Sequence, residues 1–504
     1  MPIDRTPPDC PSSRERSRRC AALIAAYLGT FLATLDISIV NVALPTLQQA
    51  LRTDIAGLQW VVNAYAICLS AFMLSSGALA DRYGHKRAWM AGVVLFTLGS
   101  ALCAWSTSLE LLLLGRAVQG CAGALLIPGA MPILSHAYPD PKERAQVIGG
   151  WSAFSALALI LGPLLGGLLL HSAGWTSIFL INIPLGVLAL GLGAWGIGER
   201  KYPAQAALDP AGQLLSVVCL AALTYGLIEG GEQGFTGTTA LLALSMAGAA
   251  FMAFVLVEAR VPRPLLALAL FRDPSFAIVN FASFALGFSY YSSLFFFSIY
   301  LQNIQGATAV EAGWRMMPQF VLTGCVSLLF GRLSARIPLR WLLVAGYGLT
   351  ALSMSAMVVL TAHTPYWIVA TLFGLLGLGA GLAVPATSMA VMSAAPQDRT
   401  GTASATMNAL RQMGMTIGIA LLGGIMSQQA TRALARAAAA LGISDPTVIA
   451  QQAVTRGAAS SGSPAIAALY VRAMEHGFHA AMACAGLACA VAMALLLGLA
   501  YRRA

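Results

Sequence analysis

The stretch ATLDISIVNVALPTLQQ (residues 33–49) sets a single carboxylate, Asp36, inside an apolar segment. Residues 21–35 ahead of it carry no charge, and the apolar run resumes directly after it. In a water-soluble core such an acid would be an oddity. The rest of the chain shows that water is not the solvent. Of its residues 58% are hydrophobic and 10% charged, against about 25% charged in ordinary soluble domains. Mean hydropathy is +0.77. Apolar runs of about 20 residues read as membrane helices, because a backbone in lipid must satisfy its own hydrogen bonds.

Fourteen such spans follow: 21–46, 57–80, 88–107, 109–134, 145–170, 175–197, 210–229, 238–258, 275–301, 311–331, 341–361, 365–391, 401–428 and 478–500. The net charge of +10 could suggest nucleic acid, but its placement gives an orientation instead. With the N-terminus cytoplasmic, 21 of the 29 basic residues fall on the inner side, five on the outer side and three (Arg116, Arg315, Arg411) within spans. Four of the five outer ones share one long loop, where the positive-inside rule is weak. Both termini are therefore cytoplasmic, and no nucleic-acid partner is expected. None of the nine cysteines falls in a predicted outer loop and no CxxC pair occurs, so they read as small buried hydrophobes. The basic start resembles a signal-peptide n-region, but the apolar run after it is too long for one. An uncleaved first helix is expected.

The chain also repeats itself. GALADRYGHKRAWM (77–90) echoes GRLSARIPLRWLL (331–343) at an offset of 254, and Gly120 precedes Pro128 as Gly377 precedes Pro385, at an offset of 257. The expected layout is a basic tail (1–20), a six-helix bundle (21–197), a two-helix insert with its linkers (198–274), a second six-helix bundle (275–500) with an outer loop (429–476), and a short tail (501–504). Parallel six-helix repeats with a site between them are a transporter plan. The offset carries Asp36 onto Tyr290, so the second half has no acid at this depth. Glu229, Glu258 and Glu311 lie at span ends, where water is expected to reach them.

Several blocks together, LDISIVNVALP (35–45), GALADRYGHKR (77–87), LGRAVQGCAGA (114–124) and LGPLLGG (161–167), resemble the signatures of the major facilitator superfamily. The first block and the fourteen spans are similar to its 14-spanner drug:proton antiporter branch. QWVVNAYAI (59–67), IFLINIPLG (178–186), EAGWRMMPQ (311–319) and LRQMGMTIG (410–418) extend the resemblance over almost the whole chain. It departs at Thr176, where the family usually has Arg.

Each block has a physical reading. Asp36 is about 22 and 15 Å from the two ends of its span, at about 1.5 Å per residue. A carboxylate there is costly unless neutralised or matched by a cation, and intramembrane acids are functional by default. Small residues on its face, Gly29, Ala33 and Ala43, are expected to leave room for water or a ligand. The rival reading is a structural acid locked to a neighbouring helix. Arg116 shares a helix face with Gln119, Gly120 and Gly123. The resemblance implies a role in proton transfer, with Arg116 tuning Asp36. The rival is an arginine bonded to carbonyls for packing.

Gly77, Asp81, Arg82, Gly84, Lys86 and Arg87 form a cytoplasmic loop. The positive-inside rule explains its basic residues and leaves Asp81 unexplained. The resemblance implies that this acid meets a helix start in the other half, by the repeat near Thr400 and Gly401, and that the contact breaks as the transporter turns inward. Gly162, Pro163, Gly166 and Gly167 resemble the antiporter motif, expected to seal the cavity by close backbone approach. Gln119, Phe284, Phe288, Tyr291, Phe295, Arg411 and Gln412 are candidate cavity residues. The aromatic four recur at helical spacing and would attract flat apolar molecules or organic cations. Core or lipid-facing aromatics are the competing reading.

The resulting expectation is a helical major-facilitator fold of fourteen (6 + 2 + 6) spans in the bacterial inner membrane. It works as a proton-coupled antiporter exporting hydrophobic or cationic drugs, with small-molecule substrate, protons and the lipid bilayer as its partners. No cofactor or metal is called for, and the resemblance leaves room for a periplasmic adaptor protein. A narrow exporter of one antibiotic or metabolite is the alternative within transport. A membrane-embedded enzyme is the remote one: the six histidines are scattered, and neither metal spacing nor a phosphate loop occurs.

Overall fold

A computed structural model describes residues 13–199, 209–261, 265–266, 268–395, 400–441, 443, 445–456 and 464–502. Cys10, Arg5, Arg200, Lys201, Arg263, Arg399 and Arg503 lie outside the described residues, as do the side chains of Lys142, Thr400 and Gly401. The described chain is helical with no strand. The first six spans are α1 (Ser13–Ala50), α2 (Ile55–Tyr83), α3 (His85–Ala104), α4 (Leu109–Ala137), α5 (Pro141–Ala173) and α6 (Ser177–Gly196). The insert is α7 (Pro210–Gln233) and α8 (Thr238–Glu258). The last six are α9 (Pro274–Ile304), α10 (Ala309–Ser334), α11 (Leu339–Val359), α12 (Tyr366–Ala394), α13 (Thr400–Ala440) and α14 (Pro464–Arg502). Thirteen of these are long and apolar enough to cross a membrane; the described apolar part of α5 is Leu157–Ala173.

Local chemistry sets the helix starts. Asp54 accepts from Gly57 N at 2.7 Å, Ser108 from Leu111 N at 3.3 Å and Asp273 from Ser275 N at 2.9 Å. Thr308 and Glu311 close a capping box ahead of α10. Between α2 and α3 the chain turns on Gly84 at φ 111°, a conformation that favours glycine.

Three spans are less regular than the sequence suggests. α6 is broken at Ile181, between Ser177–Leu180 and Asn182–Gly196. α10 is interrupted at Met316, just before Pro318. α9 holds two π-turns, Gly287–Tyr291 and Tyr300–Ile304, each widening the turn beyond the α repeat. α13 and α14 also run well past the membrane ends assigned to them, and a short helix, Pro446–Arg456, stands between them. The outer loop is mostly helix.

The repeat reappears in the packing. α4 packs on α2 and α3 as α12 packs on α10 and α11, and α1 on α5 as α9 on α13. A Cβ on Gly120 would collide with Tyr65 O, and one on Gly377 with Gln319 O. These are the same close approaches at repeat-related sites. α7 and α8 pack on each other, and α7 also on α2 and α13.

Bridging contacts between the halves cluster toward the outer side. Gln302 Nε2 donates to Val42 O at 3.0 Å and Gln59 Nε2 to Ile419 O at 2.6 Å. Large exposed apolar side chains such as Leu98, Leu168, Leu328 and Leu487 form the surface that lipid covers. Among the eight described cysteines only Cys103 and Cys489 are buried, and Cys20 and Cys325 are exposed. The reading of the cysteines as small buried hydrophobes therefore holds for a minority. Glu258 also departs from expectation: it is buried, not water-exposed.

Candidate functional site

Asp36 and Arg116 meet. Arg116 Nη1 donates to Asp36 Oδ2, and both side chains are fully buried. A charge in such a place needs hydrogen-bond partners, and the surrounding helices supply several. Gln119, one turn along α4 from Arg116, donates from Nε2 to Asp36 Oδ1 at 3.0 Å and accepts from Arg116 Nη1 at 2.9 Å. Arg116 Nε donates to Val61 O at 3.0 Å. Its guanidinium lies 4.5 Å from the centre of the Tyr65 ring. Tyr65 in turn donates from its hydroxyl to Ala33 O at 3.2 Å, back on α1. Asn182, at the break in α6, donates to Asp36 Oδ1 at 3.4 Å and to Ser100 Oγ at 3.2 Å. Ser100 also accepts from Gln119 Nε2 at 2.8 Å.

Five helices of the first bundle thus converge on one carboxylate. Sequence reasoning found Asp36, Arg116 and Gln119 and missed Asn182, Ser100 and Tyr65. For Asn182 the available signal was an amide inside the apolar block IFLINIPLG. The room expected beside Asp36 is absent here. A Cβ on Gly29 would approach Trp89 to 2.7 Å, and Ala33 and Ala43 are fully buried. These small residues admit neighbouring helices, not a ligand. For the same reason Gln119 belongs to the buried network and not to a cavity wall.

The glycine motif of α5 faces two ways. Gly162 and Gly166 pack against Ser38 and Ile39 of α1, and Ser38 Oγ donates to Leu159 O at 3.0 Å. On the other side a Cβ on Gly167 would lie 2.7 Å from Val310 Cα, and one on Gly313 would collide with Pro163 O. The motif therefore joins α1 to α5 within the first bundle, and α5 to α10 across the two halves.

In the cytoplasmic loop Asp81 pairs with His85 at 3.0 Å. The partner expected for it, the start of α13, has no described side chain at Thr400 or Gly401. Glu199, not singled out from the sequence, organises the loop. It pairs with Arg87 at 3.6 Å and accepts from Lys86 N at 3.2 Å. It also fills the space beside Gly84 that any Cβ would need. Lys86 Nζ donates to Ala194 O at 2.6 Å. Arg82 is exposed, 5.6 Å from the Tyr83 ring centre, and Gly77 is open.

The aromatic candidates do not form one stripe, because the π-turn at 287–291 shifts the register between them. Phe284 and Phe288 stack at 6.4 Å. Phe295 is fully buried against Phe296 and cannot line a cavity in this conformation. Tyr291 already has a cation, Arg411, 5.8 Å from its ring centre. Arg411 also donates to Asn408 Oδ1. Gln412 is partly exposed. Of the seven candidate cavity residues, Phe284, Tyr291, Arg411 and Gln412 are partly accessible.

The comparisons agree with this architecture. Residues 26–419 match the family model described as Major Facilitator Superfamily. The chain is 35% identical to the "Methylenomycin A resistance protein" of Bacillus subtilis (strain 168) over 412 residues, 82% of this chain and 88% of that one. It is 37% identical to the "Multidrug resistance protein Stp" of Mycobacterium tuberculosis (strain CDC 1551 / Oshkosh) over 405 residues, 80% of this chain and 75% of that one. Among solved structures it superposes, with a TM-score of 0.63 and 19% identity, on a bacterial homologue of the human lysosomal transporter Spinster, described as inward-facing and unoccupied; the match covers 95% of this chain and 96% of that one. Helices, repeat, buried ion pair and family match converge: this chain belongs to the major facilitator superfamily and is a multi-pass protein of the cytoplasmic membrane.

Proposed function

We propose that the protein is a proton-coupled antiporter that exports hydrophobic or cationic drugs across the cytoplasmic membrane. The observation carrying this reading is the buried Asp36–Arg116 pair with its surrounding hydrogen bonds. A proton on Asp36 neutralises it and releases Arg116. Arg116 does not become an orphan, because Val61 O, Gln119 Oε1 and the Tyr65 ring still hold it. These neutral partners keep Arg116 hydrogen-bonded while Asp36 is protonated, which lowers the cost of opening the pair. In this conformation the proton competes with Arg116 for the carboxylate, and the substrate is excluded from it.

α1 supplies the connection to movement. Asp36 faces α4, Ser38 and Ile39 face the glycines of α5, and Val42 O holds Gln302 of the second half. A shift of α1 on protonation acts on both seams within two helical turns. The outer contacts and the likeness to an inward-facing structure support the reading that this conformation opens to the cytoplasm. One charge moved across about 100 mV is worth about 2.3 kcal/mol, enough to concentrate a neutral substrate some tens-fold. Drug export is supported by the relatives, which are named as resistance proteins.

The test is drug accumulation in cells carrying the wild type or Asp36→Asn at matched expression, with and without a protonophore. Low accumulation that rises with either the substitution or the protonophore supports the reading. Low accumulation insensitive to both contradicts it.

A further inference from the structure

A second pair of buried acids lies far from Asp36, at the inner end of the insert. Asp209 precedes α7 and Glu258 ends α8, and they are 6% and 3% exposed. One oxygen of each is already engaged. Asp209 Oδ1 accepts from Gly212 N at 2.9 Å, and Glu258 Oε2 from Leu266 N at 3.0 Å. The other two oxygens, Asp209 Oδ2 and Glu258 Oε1, have no donor. They face each other across Gly212: a Cβ there would collide with Asp209 Oδ2 and lie 2.8 Å from Glu258 Oε1.

Among the described residues no cation balances them, and neither acid belongs to an ion pair there. Arg260 and Arg272, the closest described basic residues in sequence, are exposed. On the packed helices, Asp81 of α2 is held by His85, Arg82 is exposed, and Arg411 of α13 is bonded to Asn408. Two ionised oxygens buried side by side without a donor are strongly disfavoured, whereas one proton makes one of them a donor to the other.

We infer that Asp209 and Glu258 form a proton-binding site, a carboxyl–carboxylate pair sharing one proton. The pair ties the insert to the linker ahead of α9, because Glu258 also holds Leu266 N. Loss of the proton sets two anions together, and their repulsion destabilises the inner end of the insert as pH rises. The site is independent of Asp36.

The test uses the full-length protein in liposomes, in both wild-type and Asp36→Asn backgrounds. Glu258→Gln and Asp209→Asn each replace the shared proton with an amide donor, and Asn still caps α7. The infrared difference at mildly acidic pH between each background and either variant is expected to contain a protonated-carboxyl band. The wild-type thermal midpoint is expected to fall as pH rises from mildly acidic to neutral, and the variants to stay flatter. If Glu258→Gln fails to fold, Asp209→Asn carries the same test. Absence of the band, equal pH dependence in wild type and variant, or a midpoint that follows sodium or potassium instead of pH would overturn the inference.

Discussion

The first bundle holds a buried acid–arginine pair where the second holds none, although the two pack alike. By the repeat offsets, Asp36 corresponds to Tyr290, Arg116 to Phe373 and Gln119 to Leu376. Tyr290 bonds Thr323 Oγ1 at 3.3 Å, and Phe373 packs on Phe297 at 4.6 Å. The backbones around these positions are the same: Gly120 against Tyr65 O, Gly377 against Gln319 O. One helical scaffold thus accepts either a charged or a neutral centre. The charge is therefore not a requirement of the fold, which fits the role proposed for Asp36.

The sharpest way to break this comparison is to remove the cation. Arg116→Ala leaves Asp36 buried without its partner and is expected to cost about 3–5 kcal/mol. Phe373→Leu, at the related position, should cost less than about 1.5 kcal/mol if the neighbours repack. Thermal unfolding in detergent measures both. Equal losses would mean that the pair is ordinary packing.

Next come the glycines, where the halves should behave alike. Gly120→Val and Gly377→Val each push a side chain into a backbone carbonyl, and each should destabilise by about 1–3 kcal/mol. A large asymmetry would show that the repeat is not equivalent in packing. Gly167→Val instead strikes Val310 across the halves. It should reduce drug export at least tenfold while moving the unfolding midpoint less than Gly120→Val does.

The smallest effects concern the tyrosines. Tyr65→Phe loses one hydrogen bond to Ala33 O and keeps the ring under Arg116, at a cost of about 1 kcal/mol. Tyr290→Phe loses a comparable bond and should cost about the same. Only the first should alter the pH dependence of transport.

Much of this comparison was legible in the sequence. Charged residues stand out in apolar helices, so Asp36 and Arg116 were found, and the spacing of three placed Gln119 beside Arg116. Asn182, Ser100 and Tyr65 were not found, because which face each helix turns inward is set by packing between helices distant in sequence. The π-turns of α9 were also invisible, and they spoiled the aromatic stripe read from a regular repeat. Glu258 was misread for a related reason. It ends a span, but the chain folds back so that Leu266 N caps its carboxylate. Glu199 escaped notice as an ordinary acid after a helix, and it is the missing Cβ of Gly84 that leaves room for its side chain.

The central claim is that a proton reaches Asp36 as the drug leaves. Its most direct test is drug-triggered proton flux in inverted membrane vesicles, wild type against Asp36→Asn, at matched expression. Flux is expected in the wild type and none above background in Asp36→Asn, with the mutant folded and present in the membrane at the same level. Equal flux in both would contradict it.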